Sequence, residues 1–207
     1  MKAKLFKTFI LTGLTASLFG QDPHRPAPAA WSEKTAAAYL DGRLDWWMDW
    51  PTAARDHQTF CVSCHTALPY AMARPALRSD LAEQAPSAIE RRLLDNVTKR
   101  VRMWKDVEPF YPDMTKEPAK TAESRGTESI LNAVILTGHD VPTRHLSPDT
   151  RLALAQMWAE QLKTGRAKGA WSWLQFHNAP WEGDSQYYGA TLRHCGGDRA
   201  RKLSFQG

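Results

Sequence analysis

The pattern of apolar and polar positions along this 207-residue chain is helical almost throughout. In PSAIERRLLDNVTKRVRMW, Ile89, Leu93, Val97, Val101 and Trp104 recur at steps of four, four, four and three, with Arg and Lys on the opposite face. That spacing predicts an amphipathic helix. WSEKTAAAYLDGRLDWWMDW opens on Ser32, a good N-cap, and stops at Pro51. TESILNAVILTG is predicted to end at Gly138. SPDTRLALAQMWAEQLKTG is predicted to start with Ser147 as N-cap and Pro148 in the first turn, and to end at Gly165. DSQYYGATL reads as a last short helix capped by Asp184. WSWLQF, 171–176, is the one strand-like piece. The predicted fold class is all-α, with helices joined by Pro/Gly-rich loops.

The first thirty residues depart from this pattern. MKAKLFK is basic, TFILTGLTASLFG is a short apolar run, and QDPHRPAPAA is polar and Pro-rich. Together they read as a signal peptide over 1–20 followed by a linker over 21–30. The apolar run is short for a bilayer span, and nothing later could form one. The expectation is an exported, periplasmic protein without a transmembrane span in its mature chain. A helical domain is expected over 31–193. RHCGGDRARKLSFQG has no helical period, so 194–207 reads as an atypical tail: either a solvated end or the truncated end of a longer protein.

Composition is that of an ordinary globular chain, 43% hydrophobic and 24% charged. The formal charge of +5 includes Lys2, Lys4 and Lys7 of the leader, and no run of Lys and Arg interleaves with aromatics. Nucleic acid is therefore not an expected partner.

The chemistry is concentrated in TFCVSCHTALPYAM, where Cys61, Cys64 and His65 form Cys-x-x-Cys-His. With three cysteines and seven histidines in the chain, chance produces this pattern on the order of one time in 700. The spacing suits covalent haem, with two thiols bonded to one porphyrin and the following imidazole as axial iron ligand. A thioredoxin-type dithiol would need a β-α-β frame, which the pattern lacks. A zinc site would need a second ligand pair. His139 and His145 are six apart, and no second C-x-x-C exists. A disulfide across this spacing would be strained. The expected cofactor is one haem c per chain, held by Cys61 and Cys64 with His65 on the iron.

Trp46, Trp47 and Trp50 crowd the helix before the motif and are candidates for a haem wall. Trp171, Trp173 and Trp181 form a second cluster, read as packing. For the sixth iron ligand, Met72 lies too close to His65, Met103 sits on a periodic helix, and His139 and His145 share another loop. The preferred candidate is Met114, in the Pro-flanked loop FYPDMTKEP. Neither G-x-S-x-G, a P-loop nor H-E-x-x-H occurs.

Two resemblances rest on these residues. FCVSCH, behind its leader, resembles the haem-binding motif of exported monohaem c-type cytochromes. More broadly, DWWMDWPTAARDHQTFCVSCHTALPYAMARPALR, ESRGTESILNAVIL and GAWSWLQFHNAPWEGDSQYYGATL resemble bacterial exported proteins described as squalene–hopene-cyclase-like or prenyltransferase-like. That resemblance implies helical hairpins forming part of an α/α-toroid. The chain lacks the D-x-D-D acid motif of the cyclases and is too short for a complete one, so the resemblance implies the scaffold without the cyclisation.

The leading expectation is a single-electron carrier working with a redox partner protein or a quinone. The alternative is a non-catalytic toroid module binding an apolar, terpenoid- or quinone-like ligand, marked by a large apolar cavity away from Cys61. A haem peroxidase-like or thiol oxidoreductase activity is the third possibility.

Overall fold

The computed structural model describes residues 31–113, 120–176, 186 and 188–194, and these are mostly helical. The chain divides into compact units after Trp31, where the Pro-rich stretch ends. The leader, the linker, Met114, Trp181, Asp184 and the tail beyond His194 lie outside the described residues.

Helix α1 (Glu33–Asp49) starts where expected. The Ser32 hydroxyl accepts the Thr35 N–H at 3.3 Å, and Pro51 follows the helix end. A small hairpin comes next, with β1 (Ala54–Arg55) antiparallel to β2 (Thr59–Phe60). Helix α2 (Ala67–Asp80) was not expected from the sequence, because Pro75 lies inside it and proline removes an interior helix bond. Helix α3 (Ala88–Arg102) carries a full capping box: Ser87 accepts from the Glu90 N–H at 3.1 Å, and Glu90 accepts from the Ser87 N–H at 2.9 Å. Leu93, Val97 and Val101 are buried, as their period requires.

Helix α4 (Lys120–Asp140) starts earlier than the sequence suggests, and Gly138 lies within it rather than capping it. It packs against α2, α3 and the helix that follows. Being enclosed on several sides, it buries polar residues among its apolar ones, which hides its period. Gly126 lets the chain at Ser172 come close; a Cβ there would lie 2.2 Å from the Ser172 carbonyl oxygen. Helix α5 (Pro148–Ala159) is capped by Ser147 as expected but ends before Gly165. The chain then turns back through left-handed Gly165 and Gly169, closed by the Leu162 N–H on the Ala170 carbonyl at 2.9 Å.

WSWLQF is not a strand. Residues 171–176 form an irregular strap held to side chains of α4. The Leu174 N–H donates to Thr127 Oγ1 at 2.9 Å, the Gln175 N–H donates to Glu123 at 3.2 Å, and Lys120 Nζ donates to the Gln175 carbonyl. Trp171 is fully buried, with its indole N–H on the Met157 carbonyl at 2.5 Å. Residues 188–194 are helical. Among the described residues no helix is long and apolar enough to cross a membrane.

The amphipathic reading of α3 needs one correction. Arg100, assigned by period to the solvated face, is fully buried, and so is Glu128 on α4. Arg100 Nε donates to Glu128 Oε1 at 2.5 Å, and Arg100 also reaches Thr59 Oγ1 and the Glu108 carbonyl, each at 2.6 Å. Removing one partner of a buried pair strands the other charge. Glu128→Ala should therefore destabilise the fold by about 3–5 kcal/mol. Arg100→Met with Glu128→Leu should recover most of that loss. Urea melts of the two variants check this, and a single variant as stable as the double would contradict it.

Candidate functional site

The Cys-x-x-Cys-His stretch is fixed from both sides before it reaches α2. Asn96 on α3 clamps the residue in front of it: its side-chain oxygen accepts the Phe60 N–H at 2.8 Å, and its amide donates to the Phe60 carbonyl at 3.1 Å. The Cys61 N–H donates to the Ala53 carbonyl at 2.8 Å, and the Trp47 indole donates to the Cys61 carbonyl at 2.7 Å. Ser63 closes the turn, its hydroxyl accepting the N–H groups of His65 and Thr66, each at 3.1 Å. The motif is thus an ordered turn leading into α2 rather than a full helical turn. The hairpin just before it holds His57 and Gln58 in the left-handed region (φ 52° and 56°), a strained backbone for residues with a Cβ.

Cys61, Cys64 and His65 all line a cavity of about 590 Å³. That lies within the range of pockets that hold cofactors. Trp47, Val62 and Ser63 complete the wall on the motif side. The remaining wall comes from distant parts of the chain: Phe110 and Tyr111 before α4, Thr127 on α4, Trp173, Leu174 and Phe176 from the strap, and Tyr188. Tyr111 and Phe176 meet edge to face, as do Trp173 and Tyr188. Gly189 makes room for this second pair, since a Cβ there would lie 2.6 Å from the Trp173 ring.

Both thiols are free, Cys61 buried and Cys64 half-buried. Burial pushes Cys61 up to about 12, with Arg55 pulling it partly back, and pushes Cys64 up to about 11. At neutral pH both are protonated and poorly nucleophilic, the reverse of what a thiol oxidoreductase needs. Among the described residues no three His, Cys, Asp or Glu side chains converge to hold a bare metal ion.

The tryptophans before the motif separate. Only Trp47 lines the cavity. Trp46 and Trp50 do not, and are 49% and 38% exposed; they stack on each other at 5.5 Å, with Arg43 over Trp46. In the second cluster Trp171 is core, but Trp173 is a wall residue. Met72 is exposed, and His145 is exposed on its loop. His139 lines a different, very small cavity with Tyr70 and Arg78. Met114, the preferred sixth ligand, falls outside the described residues. Sequence reasoning missed Phe110, Tyr111, Phe176 and Tyr188, whose only common signal is aromatic character.

No family model, curated protein or solved structure matches the chain.

Two outcomes follow from this geometry. Asn96→Ala leaves a buried N–H and a buried C=O at Phe60 without partners, and should cost about 2–4 kcal/mol in urea unfolding. With both thiols free, the folded chain keeps protons that the unfolded chain releases. Their contribution is therefore intact below about pH 8 and lost as the pH rises through the folded values. Iodoacetamide at pH 8, read by peptide mass mapping, should alkylate Cys61 and Cys64 at least about 100-fold more slowly in the folded chain than in the urea-unfolded chain. Equal rates would refute the burial account.

Proposed function

We propose that this chain is an exported protein carrying one covalently attached haem c and passing single electrons. One observation carries the reading: the Cys-x-x-Cys-His motif coincides with the wall of the roughly 590 Å³ aromatic cavity. The residues fit the group chemically. Cys61 and Cys64 lie on one wall, where thioether bonds would replace two thiols that burial already keeps uncharged. His65 lies on the same wall and would ligate the iron. Six aromatic rings, from Trp47, Phe110, Tyr111, Trp173, Phe176 and Tyr188, offer flat apolar surface. Bound there, a haem supplies a one-electron iron couple whose potential is set by axial ligation, burial and nearby charge. The chain's own contribution is to hold the motif turn rigid through Asn96, Trp47 and Ser63. Met114, outside the described residues, would be the candidate for the other iron ligand, and the electron partner would be a redox protein or a quinone.

The scaffold reading belongs here too. Pairing of α1 with α2 and of α4 with α5 is what a fragment of an α/α-toroid would present. The rival function, an apolar ligand held away from Cys61, finds less support. The large cavity is at Cys61, and a second one measures only about 20 Å³.

The test is a haem-stained gel and a pyridine haemochrome spectrum of protein matured in a bacterial periplasm. The expected result is covalent haem that is lost in Cys61→Ser with Cys64→Ser. An unstained chain, under conditions where a control cytochrome matures, would end this reading.

A further inference from the structure

This inference rests on the haem reading above and concerns how an electron crosses between the cavity and the surface. Two ring contacts, Tyr111 with Phe176 and Trp173 with Tyr188, join residues that both line the cavity. Another leads out of it. Trp47 lines the cavity, and its ring lies 5.4 Å from that of Trp50, which does not. Trp50 in turn lies 5.5 Å from Trp46, their planes inclined by only 17°. Both separations are those of rings in contact.

Helical spacing builds this chain of rings. Trp46 and Trp47 are adjacent in sequence, so their side chains diverge by roughly 100° around α1. Trp50 stands four residues from one and three from the other, the two spacings that bring side chains together. The outer rings, Trp46 and Trp50, are exposed, and Arg43 lies over Trp46 at 4.7 Å. The inner end is tied to the motif, because the Trp47 indole N–H donates to the Cys61 carbonyl at 2.7 Å. One hydrogen bond and two ring contacts thus run from a residue that would carry a thioether to the surface.

Electron tunnelling falls steeply with distance, and more steeply across a gap than through bonded or contacting groups. We propose that Trp47, Trp50 and Trp46 form the electron route between the cavity and the surface, with the two exposed indoles as its outer end. In the outward direction the iron of the bound haem loses one electron, a one-electron acceptor at the surface gains it, and the indoles end unchanged. Trp46 and Trp50 act through Trp47, so they are positioning residues rather than ligands. Phe176 and Tyr188, wall residues that are themselves exposed, mark the competing route across the rim of the cavity.

A ruthenium(II) polypyridyl label on an introduced cysteine reads the route directly. Gly42→Cys places it in open space one turn before Trp46. Leu152→Cys places it on an exposed position of α5. Cys195→Ser removes the remaining thiol. In the haem-loaded, reduced protein a laser flash and a soluble oxidative quencher produce ruthenium(III), which takes one electron from the iron. From position 42, Trp50→Leu should slow this transfer about tenfold, and Trp50→Phe, which keeps a ring in the gap, should stay within about threefold of wild type. From position 152 neither should change it, and the midpoint potential and pyridine haemochrome should match wild type. An unchanged rate from position 42 in Trp50→Leu overturns the proposal in favour of the rim. So does equal slowing from both labels, because the haem site rather than the route would then have changed. If Trp50→Leu does not fold, Trp46→Leu is read in the same way. A second readout needs no haem. In the Cys61→Ser, Cys64→Ser chain labelled at position 42, ruthenium(III) should take its electron from the indole pair, leaving an indole radical seen by its visible absorbance. Trp46→Leu with Trp50→Leu should abolish that signal, and its persistence would overturn the role of the outer rings. A wild type without covalent haem is a separate result: it overturns the cofactor reading, and the haem-free signal still decides whether the rings carry charge.

Discussion

The structure turns on one buried guanidinium. Arg100 binds Glu128 on α4, the hydroxyl of Thr59 on β2 and the carbonyl of Glu108, and it lies over the ring of Phe110. It thereby ties α3 and α4 to the start of the motif and to the far wall of the cavity. No apolar side chain could connect four such different pieces, because dispersion has no direction, whereas a guanidinium offers five donors in a plane. Its buried charge is costly without Glu128, so the two walls are positioned by an interaction that fails as a unit.

Around that centre the backbone of the motif is held by groups with other structural duties. Asn96 belongs to the amphipathic helix α3, and Trp47 to α1. Each gives up a core or surface position to satisfy a backbone group beside Cys61. Backbone polar groups cannot be left unpaired in an apolar wall, and irregular chain cannot satisfy itself. This is the physical reason that a cavity lined by a turn needs side-chain donors and acceptors from neighbouring helices.

Legibility in the sequence followed the same division. The starts of α1 and α5 were readable from Ser32 and Ser147, because capping is local chemistry, and α3 was readable from its apolar period. The motif was readable because its three residues lie within five positions of one another. Helix α2 was hidden by Pro75, and the extent of α4 by its buried polar residues. The strap at 171–176 imitated a strand in its alternation of residues, yet its partners are side chains of α4 rather than another strand. The aromatic wall was out of reach, since Phe110, Phe176 and Tyr188 meet Cys61 only through tertiary packing. Trp46 and Trp50 misled for a related reason: neighbours in sequence on a helix point in different directions, and only Trp47 faces inwards.

The two walls of the cavity lie far apart in chain order. Cys61 and Cys64 precede the strap residues Trp173 and Phe176 by more than half the chain's length. A polypeptide is made from its N-terminus. The thiols therefore exist for a time as ordinary solvated cysteines, before the residues that will cover them have arrived. Their inertness is acquired only on closure, so any chemistry done to them has a window that the timing of synthesis itself defines.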